Sequence, residues 1–285
     1  MFIPTKLTDG ADGACDSDCS LRDAVLAANA APGPDFIVLG AGTYSLSLAG
    51  AGEDLAATGD LDITDDLAIV GRDAAGTVID ADKIDRALDI VAGTRLELVS
   101  LTVADGLVSG GDGGGIRVAG RLDLTRGVVR ASQAVRGGGI ASTGAGAVLS
   151  IDQSSILQNR STGQGGGIYL GGTIHMVNST VAGNRAELIG GGGLYGAEGA
   201  LGTISNSTFY QNSVGSGSGG GVYVVSQPFI ATEYPVFENS ILAGSSASSA
   251  DAAALAAAIA KNAWACSGPW PSRAASRSAD TMLPA

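Results

Sequence analysis

Asp60 and Asp62 alternate with Leu61 and Ile63, so both carboxylates share one face of any strand formed there. Asp80 and Asp82 repeat the spacing further along and are expected beside them, one coil later. Carboxylates gathered on one face suit a hard cation such as Ca²⁺, which takes oxygen ligands. With Arg86 or Arg95 as a positive group, they would meet the needs of a uronate lyase: a base near the sugar C5 proton and a cation to neutralise the acid. A glycoside hydrolase would need two carboxylates flanking one bond.

Other reactive side chains are sparse. The single His175 lies between Ile174 and Met176; if those two point inward, it is an outward strand residue. Cys15 and Cys19 can bridge in an oxidising compartment, which leaves Cys266 unpaired. Two cysteines and one distant histidine do not supply the four ligands of a zinc site. No nucleophile and base fall at a workable spacing, so no residue is assigned as catalytic, and no cofactor other than Ca²⁺ is implied.

The elements that carry these residues are set by a repeat. A glycine triplet followed by an aliphatic residue ends at Ile116, Ile140, Ile168, Leu194 and Val222, and its third glycine advances by 24, 28, 26 and 28 residues. A second block runs in step with it: Gln153–Asn159, Asn178–Asn184, Asn206–Asn212 and, more weakly, Asn239–Ser245. A short alternating strand precedes each block, as in Leu122/Leu124, Leu149/Ile151 and Ile174/Met176. Each unit therefore holds about three short strands separated by Gly, Asn and Ser turns, with no helix-length apolar stripe between them. Such units wind most simply into a single-stranded right-handed parallel β-helix, an all-β solenoid whose coils pair about 4.8 Å apart. A propeller would need longer four-stranded units.

This winding sorts inward from outward positions. Three aliphatic columns are expected inside: Ile116, Ile140, Ile168, Leu194 and Val222; Leu124, Ile151, Met176, Ile204 and Phe237; and Val129, Ile156, Val181, Phe209 and Leu242. Glycines belong where a coil turns tightly beneath its neighbour. Asn159, Asn184 and Asn212 share one turn position and are expected to form a structural ladder, since Asn accepts left-handed backbone and bonds along a stack. Outward, next to the first column, come Arg117, Ala141, Tyr169, Tyr195 and Tyr223. The three tyrosines would line the helix axis, either stacking across coils or offering flat faces to a glycan or a surface protein. Arg117, Arg121, Arg126, Arg130 and Arg136 crowd into two coils, as a basic patch or as solvated faces.

Solenoid ends need covering. Ser20 with Asp23 reads as a variant capping box, and Leu21, Ala24, Val25 and Ala28 form the apolar face of a short N-terminal capping helix. Pro32-Gly33-Pro34 stops it. We therefore divide the chain into residues 1–34 as N-terminal segment and cap, 35–245 as β-helix, and 246–285 as an Ala/Ser-rich tail, partly helical (Ala252–Lys261) or disordered.

The 285 residues carry a formal charge of −12, which argues against a nucleic-acid partner. Residues 1–112 hold 20 of the 28 acidic side chains and 6 of the 16 basic ones, so the early coils are the acidic end. No apolar run is long enough for a membrane span, and Met1–Gly10 does not read as a signal peptide. The expectation is either an intracellular chain or one that starts downstream of a lost leader.

Cys19-Ser20-Leu21-Arg22-Asp23-Ala24, followed by Asn29 and the stretch Phe36–Tyr44, resembles the family known by its Cys-Ser-Leu-Arg-Glu-Ala motif, with Asp23 in place of Glu. The triplets and Phe209-Tyr210-Gln211-Asn212 also resemble the Gly-Gly-Ala-aliphatic and Phe-x-x-Asn motifs of polymorphic outer-membrane proteins. The other copies depart, with Gly for Ala and Ile156 or Val181 for Phe. The resemblance spans roughly residues 15–245. It implies a right-handed parallel β-helix of pectin lyase-like fold, exported and displayed on or shed from a bacterial surface. Such families carry a leader and a C-terminal anchor or barrel, so the change of composition after Ser245 reads as a truncation or an altered frame.

The expected function is that of a secreted or cell-surface bacterial β-helix, monomeric and non-catalytic, acting in adhesion or surface interaction. The alternative is a polysaccharide-active lyase or hydrolase using the carboxylate/Ca²⁺ set. The Asp-Asp, Gly-His-Gly and Arg-x-Lys blocks of polygalacturonases do not support that alternative, because Asp65-Asp66 stands without its companions.

Overall fold

Strands of three to five residues, each with its aliphatic side chains on one face, cannot bury that face alone and must stack. The computed structural model describes residues 1–50, 52–225, 235–247, 260–261 and 264–266. They form a right-handed parallel β-solenoid, and every strand inside a sheet pairs with its counterpart in the coils before and after it. One coil illustrates the path: Val148–Asp152 (sheet I), Ser155–Leu157 (sheet II), Arg160–Gln164 (sheet IV) and Ile168–Leu170 (sheet III), before the chain re-enters sheet I at Thr173–Val177. Sheets I and II hold nine strands each, sheet III seven and sheet IV four.

The three aliphatic columns are in register. Ile116, Ile140, Ile168, Leu194 and Val222 pair in succession in sheet III, Leu124 to Phe237 in sheet I and Val129 to Leu242 in sheet II. The columns extend upstream through Leu61 and Leu88, through Ile37, Ile69 and Leu98, and through Tyr44, Ile79 and Val103. These side chains form one continuous buried core.

Sheet IV adds a fourth strand to units in which three were expected. Its strands Gln133–Arg136, Arg160–Gln164, Arg185–Ala186 and Ser213–Val214 bury small residues (Ala134, Ser161, Ala186 and Val214), so aliphatic periodicity does not announce them. The glycine triplets follow directly. Gly165 has φ +63°, and a Cβ on Gly166 would lie 2.4 Å from the carbonyl carbon of Arg185 and 2.5 Å from the carbonyl oxygen of Gly192. Only glycine lets successive coils approach this closely.

The asparagine ladder exists, on a different backbone from the one expected. The Oδ1 of Asn184 accepts from the backbone N of Asn159 (2.9 Å) and from its Nδ2 (3.1 Å), and Asn212 serves Asn184 in the same way at 3.0 Å. Each Nδ2 also donates one coil back, to Val129, Ile156 and Val181. The left-handed conformation belongs instead to Asn178, Asn206 and Asn239. Between the two positions runs a buried serine ladder of Ser154, Ser179, Ser207 and Ser240.

At the N-terminal end, helix α1 (Leu21–Ala30) starts at a complete capping box of Ser20 and Asp23 and buries Leu21, Ala24, Val25 and Ala28. Phe2 bridges to Ile37 and covers the outer edge of sheet I. At the other end the stack does not stop at Ser245: Ala260–Lys261 and Trp264–Cys266 add strands to sheets I and II. Of the helix-prone stretch Ala252–Lys261, only the final two residues are described, and they are a strand. No described helix is long and apolar enough to cross a membrane.

Candidate functional site

The outward column of sheet III runs Asp62, Asp89, Arg117, Ala141, Tyr169, Tyr195 and Tyr223, one residue per coil. Its first coils gather charge and its last coils gather aromatic rings.

Asp62 and Asp89 are direct neighbours in the sheet, and Asp60 joins them from the residue before its strand. One carboxylate oxygen from each of the three lies within 4.8 Å of the others, and all three residues are 1% exposed. Arg86 Nη1 donates to Asp60 Oδ2 at 2.9 Å and to Asp89 Oδ2 at 3.0 Å, while Arg117 Nε donates to Asp89 Oδ1 at 2.8 Å. The backbone N of Ala56 donates to Asp62 Oδ2 (2.7 Å), so the loop before the strand covers the cluster. Asp85 adds its field from the same coil.

Burial raises the carboxyl of Asp60 to about 7; Arg86 opposes the rise, and the charges of Asp62, Asp85 and Asp89 reinforce it. Burial likewise raises Asp62 to about 6, opposed by the Ala56 N–H. The bonded charge of Asp89 holds the Arg117 guanidinium above its ordinary value. Asp60 Oδ1, Asp85 Oδ2 and Arg86 Nε are buried with no partner, and they are three of the four such side-chain atoms among the described residues.

Asp80 and Asp82 are not part of this cluster. Asp80 ends a strand of sheet II, and its Oδ1 accepts from the backbone N of an exposed Asp82. Equal spacing in sequence did not mean the same sheet. Asp89 takes the place expected for them, and the signal for it was the tripeptide Leu-Asp-Ile, which occurs at 61–63 and again at 88–90. Arg95 also lies elsewhere, paired with Asp123 on sheet I at 2.5 Å.

The tyrosines do stack. Ring centroids of Tyr169 and Tyr195 are 5.6 Å apart at 7°, and those of Tyr195 and Tyr223 are 5.3 Å apart at 18°. The Arg136 guanidinium lies over the Tyr169 ring, 4.7 Å from its centroid. Both faces of Tyr195 are thus occupied and the residue is buried, and Tyr169 lies between Arg136 and Tyr195, so neither of these two offers an open ring face to sugars. Three of the five arginines are ion-paired and so do not add to a free basic patch: Arg117, Arg121 and Arg136 pair with Asp89, Asp123 and Asp112, while Arg126 donates to Ser100.

His175 projects outward and is exposed, with Thr203 Oγ1 3.5 Å from its Nδ1. Cys15 and Cys19 are joined by a disulfide just before α1. The residue that sequence reasoning passed over is Arg22, which is completely buried. Its five N–H groups all find acceptors: two on Asp9 and three on the carbonyls of Ala56, Gly59 and Asp60. Arg22 thereby ties the cap to the loop that roofs the carboxylate cluster.

No family model, curated protein or solved structure matches the chain.

Proposed function

We infer that the chain is a non-catalytic parallel β-helix of the secreted or cell-surface kind, acting through surface interaction or adhesion. One observation carries this reading. Among the described residues, the carboxylates with raised pKa, Asp60 and Asp62, are buried, the first held by Arg86 and the second by the Ala56 N–H of the covering loop, whereas hydrolysis or elimination needs carboxylates open to a polymer. The polar groups of the turns serve the stack itself, in the asparagine and serine ladders. What faces outward late in the solenoid includes the exposed Leu188, Ile189, Tyr210 and Ile241, a composition suited to a protein partner more than to a sugar ring. The resemblance of Cys19–Ala24 to the Cys-Ser-Leu-Arg-Glu-Ala family supports export to a bacterial surface.

A second reading rests on the same cluster. Carboxyls raised to about 7 and about 6 beside two guanidiniums are the equipment of a general acid, and a polysaccharide lyase or hydrolase would use them if the loop opened.

The two readings separate in one experiment. The full chain is offered to a glycan array and to immobilised extracellular proteins, and in parallel to uronic and neutral polysaccharides with and without Ca²⁺. Retention on a surface ligand with no release of unsaturated or reducing ends is the expected result. Release of either product that disappears in Asp60→Asn would overturn the non-catalytic reading. In the array, Tyr169→Ala/Tyr195→Ala is expected to leave any sugar binding unchanged.

A further inference from the structure

The carboxylate cluster under the 52–59 loop is electrostatically incomplete. When all are ionised, Asp60, Asp62, Asp85 and Asp89 bring four negative charges against the two positive ones of Arg86 and Arg117, so two negative charges are left unbalanced. The hydrogen bonding shows the same deficit. Asp60 gives only Oδ2 to Arg86, and its Oδ1 has no donor although the residue is 1% exposed. Asp85 gives only Oδ1, to the backbone N of Arg86, and its buried Oδ2 has no donor either. Two buried carboxylate oxygens without donors, on residues whose charges act on one another, are costly in a low-dielectric site. Against the satisfied asparagine and serine ladders of the later coils, and with only Ser161 Oγ unpartnered elsewhere among the described buried side chains, this concentration points to a ligand here.

We propose that Asp60, Asp62, Asp85 and Asp89 bind a single Ca²⁺ ion that fastens the 52–59 loop to the early coils. One divalent ion matches the two residual charges. The donors are all oxygens, as a hard cation requires, and among the described residues no sulfur or imidazole joins the group to select zinc or copper. The spread of three of them also fits: oxygens of Asp60, Asp62 and Asp89 within 4.8 Å of one another can face each other across an ion whose ligands stand at about 2.3–2.6 Å, whereas Mg²⁺ at about 2.0–2.1 Å demands a tighter, regular octahedron; Asp85 joins them through the field it exerts on Asp60 and its own buried, unpartnered Oδ2. Arg86 and Arg117 stay on the oxygens they already hold. The ion ties together parts that are close in space and distant in sequence: the loop through Ala56 on Asp62, and the coil that carries Asp85 and Asp89. Through the Arg22 bonds to Ala56 and Gly59, it also steadies the N-terminal cap. This site is independent of the surface-interaction reading, which stands or falls on the array.

The test uses the full chain, stripped with chelator and titrated with CaCl₂ or MgCl₂ by calorimetry and thermal unfolding. One Ca²⁺ per chain is expected. At about a hundredfold excess over Kd, the midpoint should rise by roughly 5–10 °C. Asp60→Asn/Asp62→Asn keeps the side-chain volume and should abolish the heat and the shift. Asp85→Asn should weaken binding about tenfold or more, and Asp80→Asn/Asp82→Asn should behave as wild type. Circular dichroism checks that each variant retains its β-structure; if the double variant does not fold, Asp85→Asn and the wild-type titration decide. Silence of the wild-type chain up to about 10 mM Ca²⁺, above the weakest extracellular modules, would sink the proposal. So would an undiminished shift in the folded double variant or in Asp85→Asn. An equal response to Mg²⁺ would overturn the choice of Ca²⁺.

Discussion

Arg22 forks onto Asp9 inside the N-terminal cap, Nε to Oδ1 at 2.9 Å and Nη2 to Oδ2 at 3.1 Å, and both side chains are closed off from solvent. The pair helps explain why an arginine can stand on the buried face of a capping helix: the fork and the carbonyls of Ala56, Gly59 and Asp60 together leave none of its donors unmet. Asp9 in turn accepts from the backbone N of Ser47 and of Leu48. Burial alone would raise the Asp9 carboxyl, but Arg22 and these N–H groups outweigh it and hold the carboxyl below its ordinary value.

Removing one partner should therefore be severe. Asp9→Ala leaves a buried guanidinium uncompensated and is expected to cost about 3–5 kcal/mol. Arg22→Lys keeps the charge but not the fork and should still destabilise clearly. Because a solenoid is nearly one-dimensional, the loss should concentrate in the first coils. Hydrogen exchange is the measurement: faster exchange around Ile37, Ile69 and Leu61, with little change around Ile168 and Val181. Uniform acceleration along the chain would contradict the local picture.

The glycine triplet gives a paired prediction. Gly166→Ala places its Cβ against backbone that cannot move aside, and the substitution should block or strongly weaken coil stacking. Gly146→Ala, where nothing lies within 4 Å, should be close to neutral. Soluble yield and urea midpoint of the two variants, side by side, check the contrast.

Asn184 stands at the middle of its ladder, with hydrogen bonds to the coils on both sides. Asn184→Ala leaves the Asn159 backbone N–H without its acceptor in the interior and takes one donor from the Ile156 carbonyl, and about 1–3 kcal/mol is the expected scale for the unmet amide. Asn206→Ala, at an exposed turn, loses mainly the ease with which Asn adopts φ +49°. Chemical denaturation should rank Asn184→Ala well below Asn206→Ala.

Stability should depend on pH in two opposite ways. Burial raises Asp60 to about 7 and Asp62 to about 6, so between the ordinary 3.8 and those values the folded chain holds protons that the unfolded chain has released. Stability then falls as pH rises through that window. Asp9, Asp23 and Asp123 behave the other way: burial is outweighed by Arg22 and backbone N–H groups, by the Ser20 cap, and by Arg121 and Arg95. Their contribution is complete above 3.8 and is lost as pH falls through their lowered values. In chelator-containing buffer, the thermal midpoint should therefore peak in mildly acidic solution and decline towards pH 7. A midpoint that climbs steadily to pH 7 would show that the Asp60 cluster is not strained.

The winding of this chain is legible in its residues. Glycine triplets and aliphatic positions recur once per coil, and because each inward residue meets only its own counterparts above and below, local spacing suffices to place Ile140 on Ile116 and Val181 on Ile156. The capping box was legible for the same reason, since it is settled within four residues. The cluster was not. Whether Asp62 meets Asp80 or Asp89 depends on which sheet each strand joins, and that is set by turns of variable length that carry no hydrophobic signal. The burial of Arg22 likewise depended on Asp9 and the 52–59 loop arriving from opposite sides of the helix. Repetition encodes what stacks on what, because stacking is a nearest-neighbour affair. The company kept by a charged side chain is decided only when distant turns close over it, and at Asp60 that closure produced both the raised carboxyl and the vacant oxygen.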